Sequence, residues 1–143
     1  MNNKVVLAFS GGLDTSFCVP YLKEKGYEVH SVMVNTGGFS QEEEKAIEQR
    51  AITLGAATHT NVNAVETDYS KGIKYLIYGN ILKNATYPLS VSSERVFQAL
   101  EVLKHVQELG ADAVAHGSTG AGNDQVRFDI VFEILAPSVE IIA

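Results

Sequence analysis

Two stretches of this sequence combine residue types that handle phosphate and charge. The first, Ser10-Gly-Gly-Leu-Asp-Thr-Ser16, follows the apolar run Val5-Val-Leu-Ala8. Gly11 and Gly12 let a backbone approach an anion closely, and Ser10, Thr15 and Ser16 add hydroxyl donors. A helix starting directly after the loop would aim its free amides and positive end at the same point. Asp14 repels an anion, so it reads as a helix cap or as a ligand on the magnesium side of a nucleotide. The same residues also suit a plain strand-to-helix turn, because glycine, serine and aspartate are ordinary turn formers. The second stretch, Gly117-Ser-Thr-Gly-Ala-Gly-Asn-Asp124, follows Ala113-Val-Ala-His116 and is again polar and glycine-rich.

Two common phosphate fingerprints are absent. A Walker loop needs GxxxxGK and then serine or threonine, but Gly117 to Gly122 is followed by Asn123-Asp124. The dinucleotide pattern GxGxxG fails too, since the sixth position counted from Gly120 is Gln125. P-loop ATPases and NAD enzymes are therefore disfavoured.

Short apolar runs alternate with longer helical patterns, which predicts an α/β fold: a doubly wound, mainly parallel five-stranded sheet with helices on both faces. Strands are expected at Val5 to Phe9, Val29 to Val34, Thr58 to Val62, Ala113 to His116 and Val139 to Ala143. Helices are expected at Thr15 to Lys25, with Pro20 inside, and after the capping box Ser40-Gln-Glu-Glu43, with Ile47, Ala51 and Leu54 inward and Gly55 at the end. A third spans Val65 to Tyr78 with Ile73, Leu76 and Ile77 inward. A fourth starts at Ser92-Ser-Glu-Arg95, with Val96, Leu100, Leu103 and Val106 or Gln107 on one face, up to Gly110. The last runs from about Asp124 to Leu135. Ligands of such sheets sit outside the carboxyl ends of the strands where strand order reverses, so the two polar loops should face each other if the first and fourth of these strands are neighbours.

The chain has 143 residues, 45% of them hydrophobic, enough for one domain, 1–143, with a real core. A net charge of -6 without a lysine or arginine block argues against nucleic acid as a partner. The N-terminus lacks a signal-peptide pattern, and Glu133, Pro137 and Glu140 break the longest apolar tracts, so no membrane partner is expected. One cysteine, Cys18, excludes an internal disulfide and fits a cytoplasmic setting. The sequence stops inside an apolar strand, and the expectation is one domain of a longer chain.

Ala8-Phe-Ser-Gly-Gly-Leu-Asp-Thr-Ser16 resembles the PP-loop, SGGxDS or SGGxDT, of enzymes that cleave ATP between the alpha and beta phosphates. His116-Gly-Ser-Thr-Gly-Ala-Gly-Asn-Asp-Gln-Val-Arg-Phe128 is similar to the second signature of the argininosuccinate synthases, GxTxKGNDxxRF. The first motif is shared by several families and the second is specific; together the resemblance covers essentially the whole chain, as an N-terminal nucleotide-binding domain of the adenine nucleotide alpha hydrolase-like type. What it implies is ATP-dependent ligation of citrulline to aspartate through an adenylated citrulline, in arginine biosynthesis, with magnesium carried by ATP and no other metal. The synthetase and oligomerisation domain would be missing, and with it the contacts of a homo-oligomer, a tetramer by resemblance.

By matching motif positions, the resemblance places ATP against Ala8, Phe9 and Ser10, the backbone of Gly11, Gly12 and Leu13, and Asp14, Thr15 and Ser16. Val34, His116, Gly117 and Gly122 complete that set. Thr119, Asn123 and Asp124 correspond to aspartate contacts, with Asp124 suited to the ammonium. Tyr87, Ser92, Arg95, Asn123 and Arg127 correspond to citrulline binders, Arg127 pairing with the carboxylate as a planar bidentate donor. Ser10, Asp14, Asp124 and Arg127 would act most directly in catalysis. Two positions depart from the family. Ala121 replaces the signature lysine, and Ser93-Glu94 before Arg95 departs from an Ala-Arg-Pro pattern and adds an acid. An N-acylated citrulline is therefore an alternative substrate.

Other residues have blander readings. Cys18 reads as a small core residue, and His30 and His59 as structural or surface groups. His116 either lines the nucleotide crevice or orders its loop by a backbone hydrogen bond. Tyr75 and Tyr78 read as core or interface packing, and Glu42-Glu-Glu44 as a solvated helix start. Two other function classes stay open: another PP-loop enzyme, such as an amidotransferase-type synthetase or an RNA thiolase, and a non-catalytic ATP-binding module.

Overall fold

The computed structural model describes residues 3–120 and 122–143, without the side chains of Lys83, Tyr87 and Pro88. Strand β1 (Lys4–Ala8) leads into helix α1 (Leu13–Glu24), then β2 (Glu28–Asn35), α2 (Gln41–Leu54) and β3 (Thr58–Asn63). A broken helical stretch follows: α3 (Val65–Asp68), a π-helical segment over Tyr69–Ile73, and α4 (Lys74–Tyr78). A small hairpin, β4 (Leu82–Lys83) and β5 (Tyr87–Pro88), precedes the long helix α5 (Ser90–Leu109), β6 (Ala113–His116), α6 (Asn123–Leu135) and β7 (Glu140–Ile142).

The main sheet has the order β3-β2-β1-β6-β7, and every neighbouring pair in it is parallel. The chain winds one way from β1 and returns to its other side at β6, so the strand order reverses between those two. Val5 pairs with Ala113 and Ala8 with His116, which brings the two polar loops side by side at the carboxyl edge.

Side chains alternate across the sheet and fill two cores. Val5, Leu7, Val29 and Met33 pack with Val19 and Leu22 of α1 and Ile47 and Ala51 of α2. Val6, Val32, Val34 and Val114 pack with Ala99, Val102 and Val106 of α5 and Phe128 and Phe132 of α6. Burial on both faces is why the central strands are continuous apolar runs instead of alternating ones. Helix ends follow local chemistry: Ser40 and Glu43 form the expected capping box, and Gly55 and Gly110 close α2 and α5 in left-handed backbone.

Several expectations need correction. The helix from Val65 is interrupted by the π-helical segment, whose Gly72 lies so close to α5 that a Cβ there would come within 2.6 Å of Phe97. Beyond it Ile77 faces outward, 62% exposed, and Tyr75 and Tyr78 lie on the surface and not in the core. On α5 the buried face is Ala99, Val102, Leu103 and Val106, while Val96 is exposed and Gln107 lies outside the core. Helix α5 starts at Ser90, two residues earlier than its Ser-Ser-Glu-Arg sequence suggests, and the face it buries is the one that packs on the sheet and α6. Pro20 sits within α1 without ending it, although it cannot donate to the Ser16 carbonyl. The β4–β5 hairpin was not expected from the sequence. Among the described residues, no helix is long and apolar enough to cross a membrane.

Candidate functional site

The loop after β1 closes on itself through a ring of small polar groups. The Gly12 amide donates to Ser10 Oγ at 3.4 Å, Ser10 Oγ and Thr15 Oγ1 lie 3.2 Å apart, and Thr15 Oγ1 donates to the Gly12 carbonyl at 3.3 Å. With the Gly12 amide donating in and the Thr15 hydroxyl donating out, the Ser10 hydroxyl proton goes to Thr15. Gly12 is the N-cap of α1 and no side chain caps it. The helix therefore keeps its first amides for a ligand, and the capping role considered for Asp14 is replaced by an exposed carboxylate in the first turn. Ser16 differs from expectation: its Oγ is buried without a partner among the described residues, so it is not presented to solvent. Leu13, 86% exposed, lines an apolar groove with Phe17 and Cys18 instead of the polar cavity.

The loop after β6 is set by a histidine. His116, 2% exposed, stacks on Phe128 with ring centroids 5.4 Å apart. The Ser118 amide donates to Nδ1 at 3.3 Å, which puts the ring proton on Nε2, donated to Asp129 Oδ1 at 2.9 Å. His116 thus both orders its loop and lines the cavity. The two loops touch directly, since a Cβ on Gly117 would come within 3.0 Å of Thr15 Cγ2 and 3.1 Å of the Thr15 nitrogen.

Between them lies a cavity of about 380 Å³. Ala8, Phe9, Ser10 and Thr15 form one wall, Val34 and its neighbours on β2 another, and His116 and Gly117 the third. A second, wider cavity of about 810 Å³ opens beside it, lined by Asp14, Thr119, Gly122, Asn123 and Arg127, with Asn84 and Thr86 from the hairpin. Gly117, Ser118 and Asp124 belong to both.

Charge concentrates where the cavities meet. Asp124 Oδ2 accepts from Arg95 Nε at 3.1 Å, and Oδ1 from Arg127 Nη1 at 2.7 Å. Burial acts to raise the Asp124 carboxyl, but the hydrogen bonds and charges of Arg95 and Arg127 outweigh it and hold the group below the usual carboxylate range. Arg95 Nη1 also donates to Gln98 Oε1 at 2.8 Å. Gln98 Nε2 and Thr36 Oγ1 both donate to Glu94 Oε1, at 3.2 and 2.7 Å. Behind Glu94 sits Asp68, 1% exposed, whose carboxyl is raised by burial and then by the Glu94 charge.

The structure therefore gathers Ala8, Phe9, Ser10, Thr15, Val34, His116, Gly117, Arg95 and Asp124 at one cavity, and Asp14, Thr119, Gly122, Asn123 and Arg127 at its neighbour. Ser92, in the first turn of α5, lines neither. Ala121 lies outside the described residues, and so does the side chain of Tyr87. Sequence reasoning missed Thr36, Gln98 and Asp129. Gln98 had a signal, being four residues after Glu94 and three after Arg95 on one helix face. Thr36 and Asp129 had none, because their partners lie 58 and 13 residues away.

Residues 4–143 match the family model described as the arginosuccinate synthase N-terminal HUP domain. The chain is 47% identical over 146 aligned residues, 98% of its length, to an argininosuccinate synthase of Xylella fastidiosa. It is 44% identical over 142 residues to one from Pyrobaculum aerophilum. It spans only 36% and 35% of those relatives, about a third of their length. Among solved structures, the fold is similar to an ammonia-dependent NAD synthetase from Campylobacter jejuni, with TM-score 0.63 and 15% identity over 83% of this chain and 48% of that one. It is also similar to a predicted tRNA methyltransferase subunit from Methanocaldococcus jannaschii, with TM-score 0.58 and 22% identity over 98% of this chain and 66% of that one.

Proposed function

Because this chain belongs to the argininosuccinate synthase family, we propose that it is the nucleotide-binding domain of a ligase that joins citrulline, or an N-acylated citrulline, to aspartate at the expense of ATP. The observation that carries this reading is the sharing of Gly117, Ser118 and Asp124 by two adjoining cavities. A reaction that transfers an activated group from nucleotide to acceptor needs its two subsites to meet at one point.

In this reading ATP occupies the smaller cavity. Its base lies toward Val34 at the end of β2, and its phosphates lie toward Ser10, Gly12 and Thr15 at the amino end of α1, where free amides and the helix dipole favour anions. The ureido oxygen of the citrulline attacks the alpha phosphorus, and pyrophosphate leaves toward the α1 loop. The amine of aspartate then displaces AMP. The chain's contribution is to hold the reactants in line and to place donors where charge develops. Asp14, exposed at the mouth of α1 and lining the second cavity, offers a hard oxygen that fits a magnesium ion carried on the phosphates, whose chemistry is neutralisation of the departing pyrophosphate.

Arg127 and Arg95 are the cations for acceptor carboxylates, and Asp124 is the anion for the aspartate ammonium, with Thr119 and Asn123 beside it. Arg95 and Arg127 each pair with Asp124, so substrate binding exchanges these internal pairs for external ones of the same kind. Tyr87 and Ser92 join the citrulline set by family correspondence. Glu94 at the cavity wall is what motivates the acylated alternative, since an added carboxylate changes the charge that an acceptor meets. The single cysteine, Cys18, is free and half-buried, in keeping with a reducing, cytoplasmic setting, and a homo-oligomer belongs to the whole protein.

The test is a titration of the isotopically labelled chain with magnesium ATP, followed by citrulline and an N-acylated citrulline in separate samples. Amide shifts at Gly12 and Thr119 with ATP, then selective shifts near Asp124 and Arg127 with one acceptor, are expected. Shifts with ATP and none with either acceptor would instead support a nucleotide-binding module, and no response to ATP would overturn the reading.

A further inference from the structure

We propose that Arg50, on α2, is a positioning residue for the phosphate loop: by holding the Gly11 carbonyl it turns the Gly12 amide toward Ser10 Oγ on the cavity wall, a donor that passes to a phosphate oxygen when one binds. The proposal rests on the assignment of phosphate to the α1 loop and identifies the part of the molecule that sets that loop up.

Arg50 Nη1 donates to the Gly11 carbonyl oxygen across 39 residues of sequence. A trans peptide is planar, and its C=O and N–H point in opposite directions. Whatever anchors the Gly11 oxygen therefore dictates where the Gly12 N–H points. That amide is directed at Ser10 Oγ, 3.4 Å away, and Ser10 lines the smaller cavity. A cation on the carbonyl end of a peptide also polarises its amide end, which makes the N–H a stronger donor in a site of low polarity.

The same face of α2 makes a second contact with the loop. Gly11 has φ of +73°, and a Cβ placed there would come within 2.8 Å of Ile47 Cγ1. Ile47 is buried one helical turn before Arg50. Helix α2 is thus a platform on which the loop rests at Ile47 and is tied at Arg50, although α2 contributes no side chain to either cavity wall. The bond is to a backbone atom, so it orients the loop irrespective of which hydroxyl side chains decorate it.

The experiment compares wild type, R50M and R50K as isotopically labelled chains titrated with magnesium pyrophosphate and, separately, with adenosine. R50M should lose about three- to tenfold in pyrophosphate affinity, the net worth of an ordinary hydrogen bond, because Arg50 is exposed and acts on the phosphate only through a peptide, with adenosine affinity unchanged. Its Gly12 amide resonance should move in the unliganded chain, and R50K should recover most of the lost affinity. Equal pyrophosphate affinity in R50M and wild type would overturn the proposal. So would a parallel loss for pyrophosphate and adenosine, which is the mark of general loosening. A wild-type chain that binds no pyrophosphate would overturn the assignment of phosphate to this loop, and the donor role of Gly12 with it.

Discussion

The two loops that meet at this site are built by different physics. The loop after β1 holds its shape with backbone groups and two small hydroxyls, in a ring of bonds between 3.2 and 3.4 Å. The region after β6 is set by larger side chains: a buried imidazole stacked on Phe128 and tied to Asp129, and a carboxylate held between two guanidinium groups. The first offers a fixed, nearly neutral set of amide donors whose shape decides what fits. The second offers opposite charges whose balance depends on protonation, salt and whatever replaces the internal pairs. Under the proposed function the former would serve the polyphosphate and the latter the discrimination among amino acids.

Removing His116 is the strongest way to break this contrast. His116→Ala deletes a buried ring and leaves the Ser118 amide and Asp129 without it, so thermal or denaturant unfolding should show a loss of about 3 kcal/mol. Gly11→Ala attacks the other loop. Left-handed backbone and the Ile47 contact should together cost about 2 kcal/mol, and pyrophosphate affinity should fall more steeply than stability. If both variants lost stability and phosphate binding in the same proportion, the two loops would be one unit and the contrast would fail.

Asp124→Asn should have a smaller effect on folding, below about 1 kcal/mol, because the side chain is partly solvated and its pairs are screened. Its effect on acceptor response should be large and its effect on ATP response small. The sign with pH follows from the lowered carboxyl: folding stability from this group is present above the ordinary carboxylate range and is lost as pH falls through its depressed value. Asp68 works the other way. Its raised carboxyl favours the protonated folded form, so stability declines as pH rises from the ordinary range through the raised value. Urea midpoints measured from pH 3 to 7 should therefore lose part of their acid-side fall in Asp124→Asn and gain stability at neutral pH in Asp68→Asn. Ser40→Ala should disturb the site least: it removes about 1 kcal/mol of stability with the capping box of α2. Ligand responses should stay unaltered unless the α2 platform shifts.

Most of the fold was legible because its signals are local. The central strands β1 and β6 are apolar runs, Ser40 with Glu43 and Gly55 mark both ends of α2, and β6 was located to the residue from Ala113 to His116. What failed depended on neighbours. The π-helical segment at Tyr69–Ile73, where Gly72 approaches α5, interrupts the expected helix, and Ile77 and Tyr78 beyond it lie on the surface. The α5 stripe was misassigned in part: Val96 has the right spacing but is 38% exposed, while Ala99 and Val102 join Leu103 and Val106 on the face that the sheet and α6 cover. At the site, the hydroxyls and glycines of both loops were legible as candidate donors, whereas the buried state of Ser16 Oγ and the uncapped start of α1 were not.

By itself the sequence determined the strand-loop-helix order, the two polar loops and the family signature they carry, because strand burial, helix caps and glycine turns are properties of a few adjacent residues. Only the tertiary structure decided that Ala8 and His116 are cross-strand neighbours, that Arg95 from one helix meets Asp124 on another, and that Arg50 reaches the Gly11 carbonyl. Those contacts join residues tens of positions apart, and their geometry is set by how the sheet reverses its order and which helix face packs beneath each loop.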